Sequence, residues 1–185
     1  MLTLRNAASD DLDFLIHADL DSDGCGDPAA PMTDEERRNH RSKIAAFVQD
    51  SQANGAWVYE DVERNRQVGM ILCRFRTRPL PGQEEYSADT LFHELPDALF
   101  PPDGRFCEIF QLWVDPAYRR RGLATRLKEQ VETESRRRGV GMIYTHTEER
   151  NLHVIELNRR LGYHEVRRGP IWDEVRRVSL VKRLS

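Results

Sequence analysis

Residues 108–127 read EIFQLWVDPAYRRRGLATRL. They pass from an apolar strand, through a turn at Asp115-Pro116, into Arg119-x-x-Gly122-x-Ala124 and then into a helix. RFCEIFQLWV (105–114) is the most apolar strand-like run in the chain, and Pro116 stops it. Over 121–138, Leu123, Leu127 and Val131 recur four residues apart with charge on the other side, which predicts an amphipathic helix. A helix that begins just after a strand presents unpaired N–H groups, and these attract phosphate through hydrogen bonding and the helix dipole. Gly122 lets a ligand approach the backbone, and Ala124 keeps the first turn uncrowded. Arg119, Arg120 and Arg121 add positive charge suited to a pyrophosphate. No GxGxxG is present, and no phosphate loop ending in Lys-Ser/Thr. Taken alone, the string also fits a basic helix start with a solvated face.

Upstream, residues 2–5 alternate as a strand, and Ser9 is placed to cap a helix carrying Leu12, Leu15, Ile16 and Leu20. Residues 21–31 hold Asp, Gly and Pro and read as a loop. Thr33-x-x-Glu36 is a capping box that opens a helix over 34–53, with Ile44, Phe47 and Val48 on its buried stripe. AWVYEDV (56–62) and QVGMILCRF (67–75) predict an antiparallel hairpin. Residues 76–104 have no clear period and contain Pro79, Pro81, Pro96, Pro101 and Pro102, so they read as an irregular insert, with a short helix at 88–95. Downstream come a strand at 142–147, a helix at 151–161 with Val154, Leu157 and Leu161, and strands at 163–168 and 175–184. The order β-α-α-β-β-insert-β-α-β-α-β-β predicts an α/β (α+β) layered protein with a mixed sheet.

The chain has 185 residues, which suits one domain over 1–185. Lys+Arg is 28 against Asp+Glu 31, a net charge of -3, so nothing pulls the whole molecule toward nucleic acid. Arg clusters at 119–121, 136–138, 159–160 and 167–168 are not interleaved with aromatics as in a single-strand binder. No apolar run approaches the ~20 residues that cross a bilayer, so no membrane partner is expected. The first residues lack a basic stretch followed by an apolar one, and Cys25, Cys73 and Cys107 make no even framework. A cytoplasmic location is expected. No metal is expected: His93-Glu94 lacks the second His of a zinc helix, and Pro96 would disturb that helix.

These elements resemble the GCN5-related N-acetyltransferases, which move an acetyl group from acetyl-CoA to an amine. The signature strand, the Pro-aromatic turn and R/Q-x-x-G-x-G/A match Leu112 through Ala124, including Tyr118, Arg119, Gly122 and Ala124. The family's N-x-x-A-x-x-L-Y-x-x-x-G-F/Y is matched by Asn151, Val154, Leu157, Asn158, Gly162 and Tyr163, with Asn158 where the Tyr usually stands. The resemblance covers 105–165. It implies a mixed, mostly antiparallel sheet of six to seven strands flanked by about four helices. It implies that the backbone of Leu112, Trp113 and Val114 pairs with the pantetheine arm. It further implies that Arg119, Arg120, Arg121, Gly122, Leu123, Ala124 and Thr125 cradle the pyrophosphate, and that Asn151 contacts the cofactor. Acetyl-CoA is then the cosubstrate. A homodimer is compatible with the family pattern, through the C-terminal strands.

The family's Tyr can protonate the departing thiolate, whereas the Asn158 amide is a donor but no practical acid at neutral pH. Tyr144 and Tyr163 are stand-ins. An ammonium acceptor with pKa ~10.4 must lose a proton before it attacks a thioester. Glu108 and His146 are the candidate bases: by resemblance, Glu108 sits where many members hold a Glu, and His146 precedes Asn151 by five residues. Strand alternation puts Glu108, Phe110, Leu112 and Val114 on one face unless a bulge intervenes. Cys107 points the other way, into the core, so direct attack in a ternary complex is expected rather than an acyl-enzyme. Backbone N–H groups near 112–114 are placed to polarise the thioester carbonyl.

Acidic residues crowd the first helix and its loop (Asp10, Asp11, Asp13, Asp19, Asp21, Asp23, Asp27, Asp34, Glu35, Glu36) and the insert (Glu84, Glu85, Asp89, Glu94, Asp97). Either they line a site for a cationic small-molecule or peptide amine, or they form a solvated surface. The chain therefore reads as an N-acetyltransferase. The alternative is a CoA-binding regulatory module that has lost catalysis, motivated by Asn158.

Overall fold

The structure, a computed structural model, describes residues 1–22, 32–78 and 95–184. Its strands are β1 (Leu2–Asn6), β2 (Asn54–Asp61), β3 (Arg66–Thr77), β4 (Arg105–Val114), β5 (Met142–Glu148), β6 (His164–Pro170) and β7 (Arg176–Arg183). Its α-helices are α1 (Leu12–Ser22), α2 (Asp34–Gln49), α3 (Leu123–Arg137) and α4 (Leu152–Arg160). The strands form one sheet in the order β1-β2-β3-β4-β5-β7-β6. β1–β2, β2–β3, β5–β7 and β6–β7 pair antiparallel, and β4–β5 is parallel. The expected mixed, mostly antiparallel sheet of six to seven strands with about four helices is present, with seven strands and four α-helices among the described residues.

Contacts divide the chain into two compact units. The first comprises Met1–Arg74 and Phe110–Val131, and the second Phe75–Ile109 and Glu132–Ser185. In the first unit, α1 and α2 cover one face of the sheet with Leu15, Ala18, Ile44 and Phe47 against Ala56, Val58, Met70, Leu72 and Trp113. Helix α3 lies against the opposite face. A Cβ built on Gly69 would stand 3.4 Å from the Trp113 carbonyl oxygen and 3.7 Å from Leu127 Cδ1. In the second unit, Leu95, Phe100, Phe106, Met142, Tyr144 and Val181 form the core.

Several boundaries differ from the sequence reading. The first helix is not capped by Ser9. Residues 9–11 make a 3₁₀ turn, and the Asp11 carboxylate accepts the Ala8 N–H at 2.8 Å. The Thr33–Glu36 capping box is present, but α2 ends at Gln49 rather than 53. Asp50 Oδ1 accepts the N–H groups of Gln52 and Ala53 at 3.1 Å each, which turns the chain out of the helix. β3 extends to Thr77, so the insert starts later than 76. The helix expected at 88–95 falls almost wholly outside the described residues, as does Cys25. On α4 the buried positions are Ile155 and Asn158, while Val154, Leu157 and Leu161 are half-buried.

Candidate active site

In the first unit the site begins where β4 ends. Asp115 holds the turn at both ends of its carboxylate. Oδ1 accepts the Ala117 N–H at 2.8 Å, and Oδ2 accepts Arg66 Nη2 at 2.5 Å. A single 3₁₀ turn, Pro116–Tyr118, follows. Tyr118 is buried; its hydroxyl donates to Asp61 Oδ2 at 2.7 Å and accepts from Arg64 Nη1 at 3.0 Å. That Tyr118 hydrogen bond, with Arg64 nearby, holds the Asp61 carboxyl below the usual carboxylate range. The turn is thereby fixed to the β2–β3 hairpin.

The chain then takes left-handed conformations at Arg120 (φ 63°) and Gly122 (φ 79°). The first helical bond of α3 runs from Arg126 N–H to the Gly122 carbonyl at 3.1 Å, so the amides of Leu123, Ala124 and Thr125 precede the helical ladder. A Cβ on Gly122 would meet no atom within 4 Å, so the backbone faces open space there. An anionic group fits these amides. All three arginines expected to add charge are exposed. Arg119 Nε donates to the Val114 carbonyl at 3.0 Å, and Arg121 folds over the Tyr118 ring at 5.0 Å.

The strand before the turn departs from the expected alternation. Phe110 stacks on Phe47 of α2 with ring centroids 4.9 Å apart, Gln111 reaches Asp19 of α1, and Trp113 meets Phe14 of α1 at 5.8 Å. Phe110, Gln111 and Trp113 all address the α1–α2 layer, which a regular period of two forbids, so the pleat breaks between Phe110 and Gln111. Phe110 therefore does not share a face with Leu112 and Val114. The Trp113 side chain belongs to the core, its Nε1 donating to Asp21 Oδ2 at 2.7 Å.

In the second unit, the β4–β5 ladder consists of Cys107↔Ile143 and Glu108↔Tyr144. Glu108 is buried, and its Oε2 accepts Arg76 Nη1 at 3.0 Å. Tyr144 is fully buried and bonded to Ser179 Oγ at 3.0 Å; burial pushes its phenol well above the usual value. That makes it a poor stand-in for a general acid. His146 Nδ1 is buried and has no hydrogen-bond partner among the described residues. Burial, then Arg177, pushes its imidazole down to about 4. Its ring meets Trp172 edge-on at 5.1 Å, and Arg177 lies over Trp172 at 4.3 Å.

Asn151 stands at the N-cap of α4 without capping through its side chain; its Nδ2 donates to Thr147 Oγ1 at 3.4 Å. Asn158 is 1% exposed, and its Oδ1 accepts no hydrogen bond among the described residues. A buried amide oxygen left unpaired is costly and calls for a donor. Tyr163 is buried as the aromatic of the Gly-Tyr pair.

The acidic residues are largely engaged within the fold. Asp11 pairs with Arg5, Asp13 with Arg41, Asp97 with Arg78, and Glu36 closes the capping box. Asp23, Asp27, Glu84, Glu85, Asp89 and Glu94 lie outside the described residues. The arginine clusters are engaged too: Arg137 and Arg138 hold Glu134, and Arg159 and Arg168 hold Glu165. Sequence reasoning missed Gln111, Asp61 and Arg66, whose partners lie 49 to 92 residues away.

The sequence matches the Acetyltransferase (GNAT) family over residues 20–163. The chain belongs to that family. No curated relative matches it. Among solved structures, the GNAT chain is similar to Arabidopsis thaliana NAA60 in complex with a bisubstrate analogue, at 18% identity and TM-score 0.69, covering 99% of this chain and 98% of that one. It is also similar to the ribosomal-protein-S18-alanine N-acetyltransferase of Escherichia coli, at 16% identity and TM-score 0.64, covering 100% and 95%. A third is yncA of Salmonella typhimurium with acetyl-CoA, at 17% identity and TM-score 0.65, covering 100% and 95%. At these identities the likeness establishes the GNAT fold.

Proposed function

We propose that this GNAT protein moves an acetyl group from acetyl-CoA to a primary amine of a small molecule or peptide, by direct attack and without an acyl-enzyme. The observation that carries this is the left-handed pair Arg120 and Gly122, which opens the backbone at the start of α3. The amides of 123–125 would take the pyrophosphate, with Arg120 adding charge from solvent. Glu108 takes the proton from the acceptor ammonium, directly or through water. Backbone amides of 112–114 polarise the acyl carbonyl. The unpaired Asn158 oxygen awaits a donor, and Asn151 holds the cofactor by analogy with the family. The names of the similar structures, including a protein-alanine N-acetyltransferase, favour an amine acceptor.

A cytoplasmic homodimer is part of the same proposal, and the buried thiols of Cys73 and Cys107 fit a reducing compartment. Light scattering on the purified protein tests the dimer, and fractionation of the source cells tests the compartment. A second reading, a CoA-binding module without catalysis, draws on Asn158 at the Tyr position and on Glu108 held by Arg76.

Thermal unfolding against rising acetyl-CoA is the first test. At ~100 times the dissociation constant the native state gains about 2.7 kcal/mol, read as a saturable rise in Tm. CoA release on an amine panel then separates the two readings: turnover with any amine supports the enzyme. Binding without turnover across the panel supports the module, and no Tm shift at millimolar acetyl-CoA overturns both.

A further inference from the structure

Strand β4 ends with two residues whose backbone groups aim away from β3. The Asp115 N–H donates to the Val68 carbonyl of β3 at 2.9 Å. Backbone groups alternate sides along a strand, so those of Leu112 and Val114 point the other way. One donor and one acceptor among these groups are taken by the chain's own side chains. The Leu112 N–H donates to Gln111 Oε1 at 3.1 Å, and the Val114 carbonyl accepts Arg119 Nε at 3.0 Å.

Gln111 is held from behind. Its Nε2 donates to Asp19 Oδ1 at 3.1 Å, and Asp19 is fully buried in α1. Asp19 Oδ2 lies 3.4 Å from His40 Nε2 of α2. A carboxylate only accepts, so it fixes which end of the amide it faces: the NH₂ turns to Asp19 and the carbonyl is left for Leu112. The break in the pleat at Phe110–Gln111 brings this side chain to the α1–α2 layer.

We propose that Gln111 is a specificity-determining residue for the acyl donor. Its side-chain carbonyl occupies the Leu112 N–H that an acyl thioester carbonyl would take, and must yield it when the loaded donor binds. This rests on the acetyl-CoA reading above. Free CoA brings no carbonyl and does not compete for the Leu112 amide. Gln111 therefore narrows the preference for loaded over spent donor, and keeps the amide satisfied when no acyl group is present.

The test is calorimetric titration of wild type, Gln111→Met and Gln111→Ala with acetyl-CoA and with S-ethyl-CoA, a thioether of similar size without a carbonyl. Removing the competing acceptor should tighten acetyl-CoA about 2- to 10-fold, the worth of one hydrogen bond, and leave S-ethyl-CoA within about twofold. The ratio of the two is read on folded protein, so a loss of stability does not move it. A ratio equal to wild type in both variants overturns the role of Gln111 alone. Wild-type protein that binds neither ligand overturns the acetyl-CoA reading, and this inference with it.

Discussion

The Tyr118 hydroxyl and the Asp61 carboxylate are bonded at 2.7 Å, both buried, across 57 residues of sequence. Together with Arg66–Asp115 they fix the turn that precedes α3. Tyr118→Phe keeps the ring and removes the donor. It should lower Tm by about 3–8 °C. It should also weaken acetyl-CoA binding about 3- to 10-fold, because the amides of 123–125 lose their fixed orientation. Scanning calorimetry and titration check the two effects.

Gly122 tests the cradle more directly. Its φ of 79° disfavours any side chain, while the surrounding space would admit one. Gly122→Ala should destabilise the free protein by about 1–2 kcal/mol. Its methyl group would also stand where a phosphate approaches, weakening acetyl-CoA more than about tenfold. Equal affinity in variant and wild type would move the cofactor elsewhere.

The unpaired Asn158 oxygen yields an effect of opposite signs. Asn158→Leu replaces a buried amide, whose oxygen has no partner among the described residues, with an apolar side chain of similar size. The free protein should melt higher, while acetyl-CoA binding weakens. A variant that gains stability without losing affinity would make Asn158 a packing residue only.

The two candidate bases separate kinetically. Glu108→Gln should cut kcat about 100-fold or more, with the KM for acetyl-CoA little changed. His146→Gln should stay within about threefold of wild type, because an imidazole held near 4 is a weak base. The reverse pattern in a pH–rate series would exchange their roles.

His146 also predicts a pH dependence of stability. Its value is about 4 folded against about 6.5 unfolded, so the unfolded chain binds the proton first. The contribution is complete above about pH 6.5 and is lost as pH falls toward 4, by roughly 1–3 kcal/mol. Urea unfolding of wild type between pH 4 and 7 should show that slope, and His146→Gln should flatten it.

The fold was legible where signals are local. Thr33 and Glu36 announced α2, and the strand–turn–helix around Pro116 announced both the sheet and the start of α3. The end of α2 was missed because Asp50 and Asn54 end it through side-chain bonds that also suit a helix exit further along. The pleat break in β4 could not be placed because FCEIFQLWV carries one polar residue on each alternating side, Glu108 and Gln111, so alternation carries no mark. Asn158 was legible as a departure from the family, but not as a buried atom without a donor. The partners of Gln111, Tyr118 and Asp115 were illegible because contacts so distant in sequence exist only after folding.

Arg120 holds a conformation that glycine or asparagine adopts more readily. Anyone seeking a more heat-resistant version of this protein would be drawn to that position first, and Arg120→Gly should indeed melt higher. Under the function proposed here, the same change removes one of the three exposed cations of the turn. The most accessible route to a tougher protein therefore leads through a weaker hold on its donor, and selection for thermostability alone would drift toward a robust, underemployed fold.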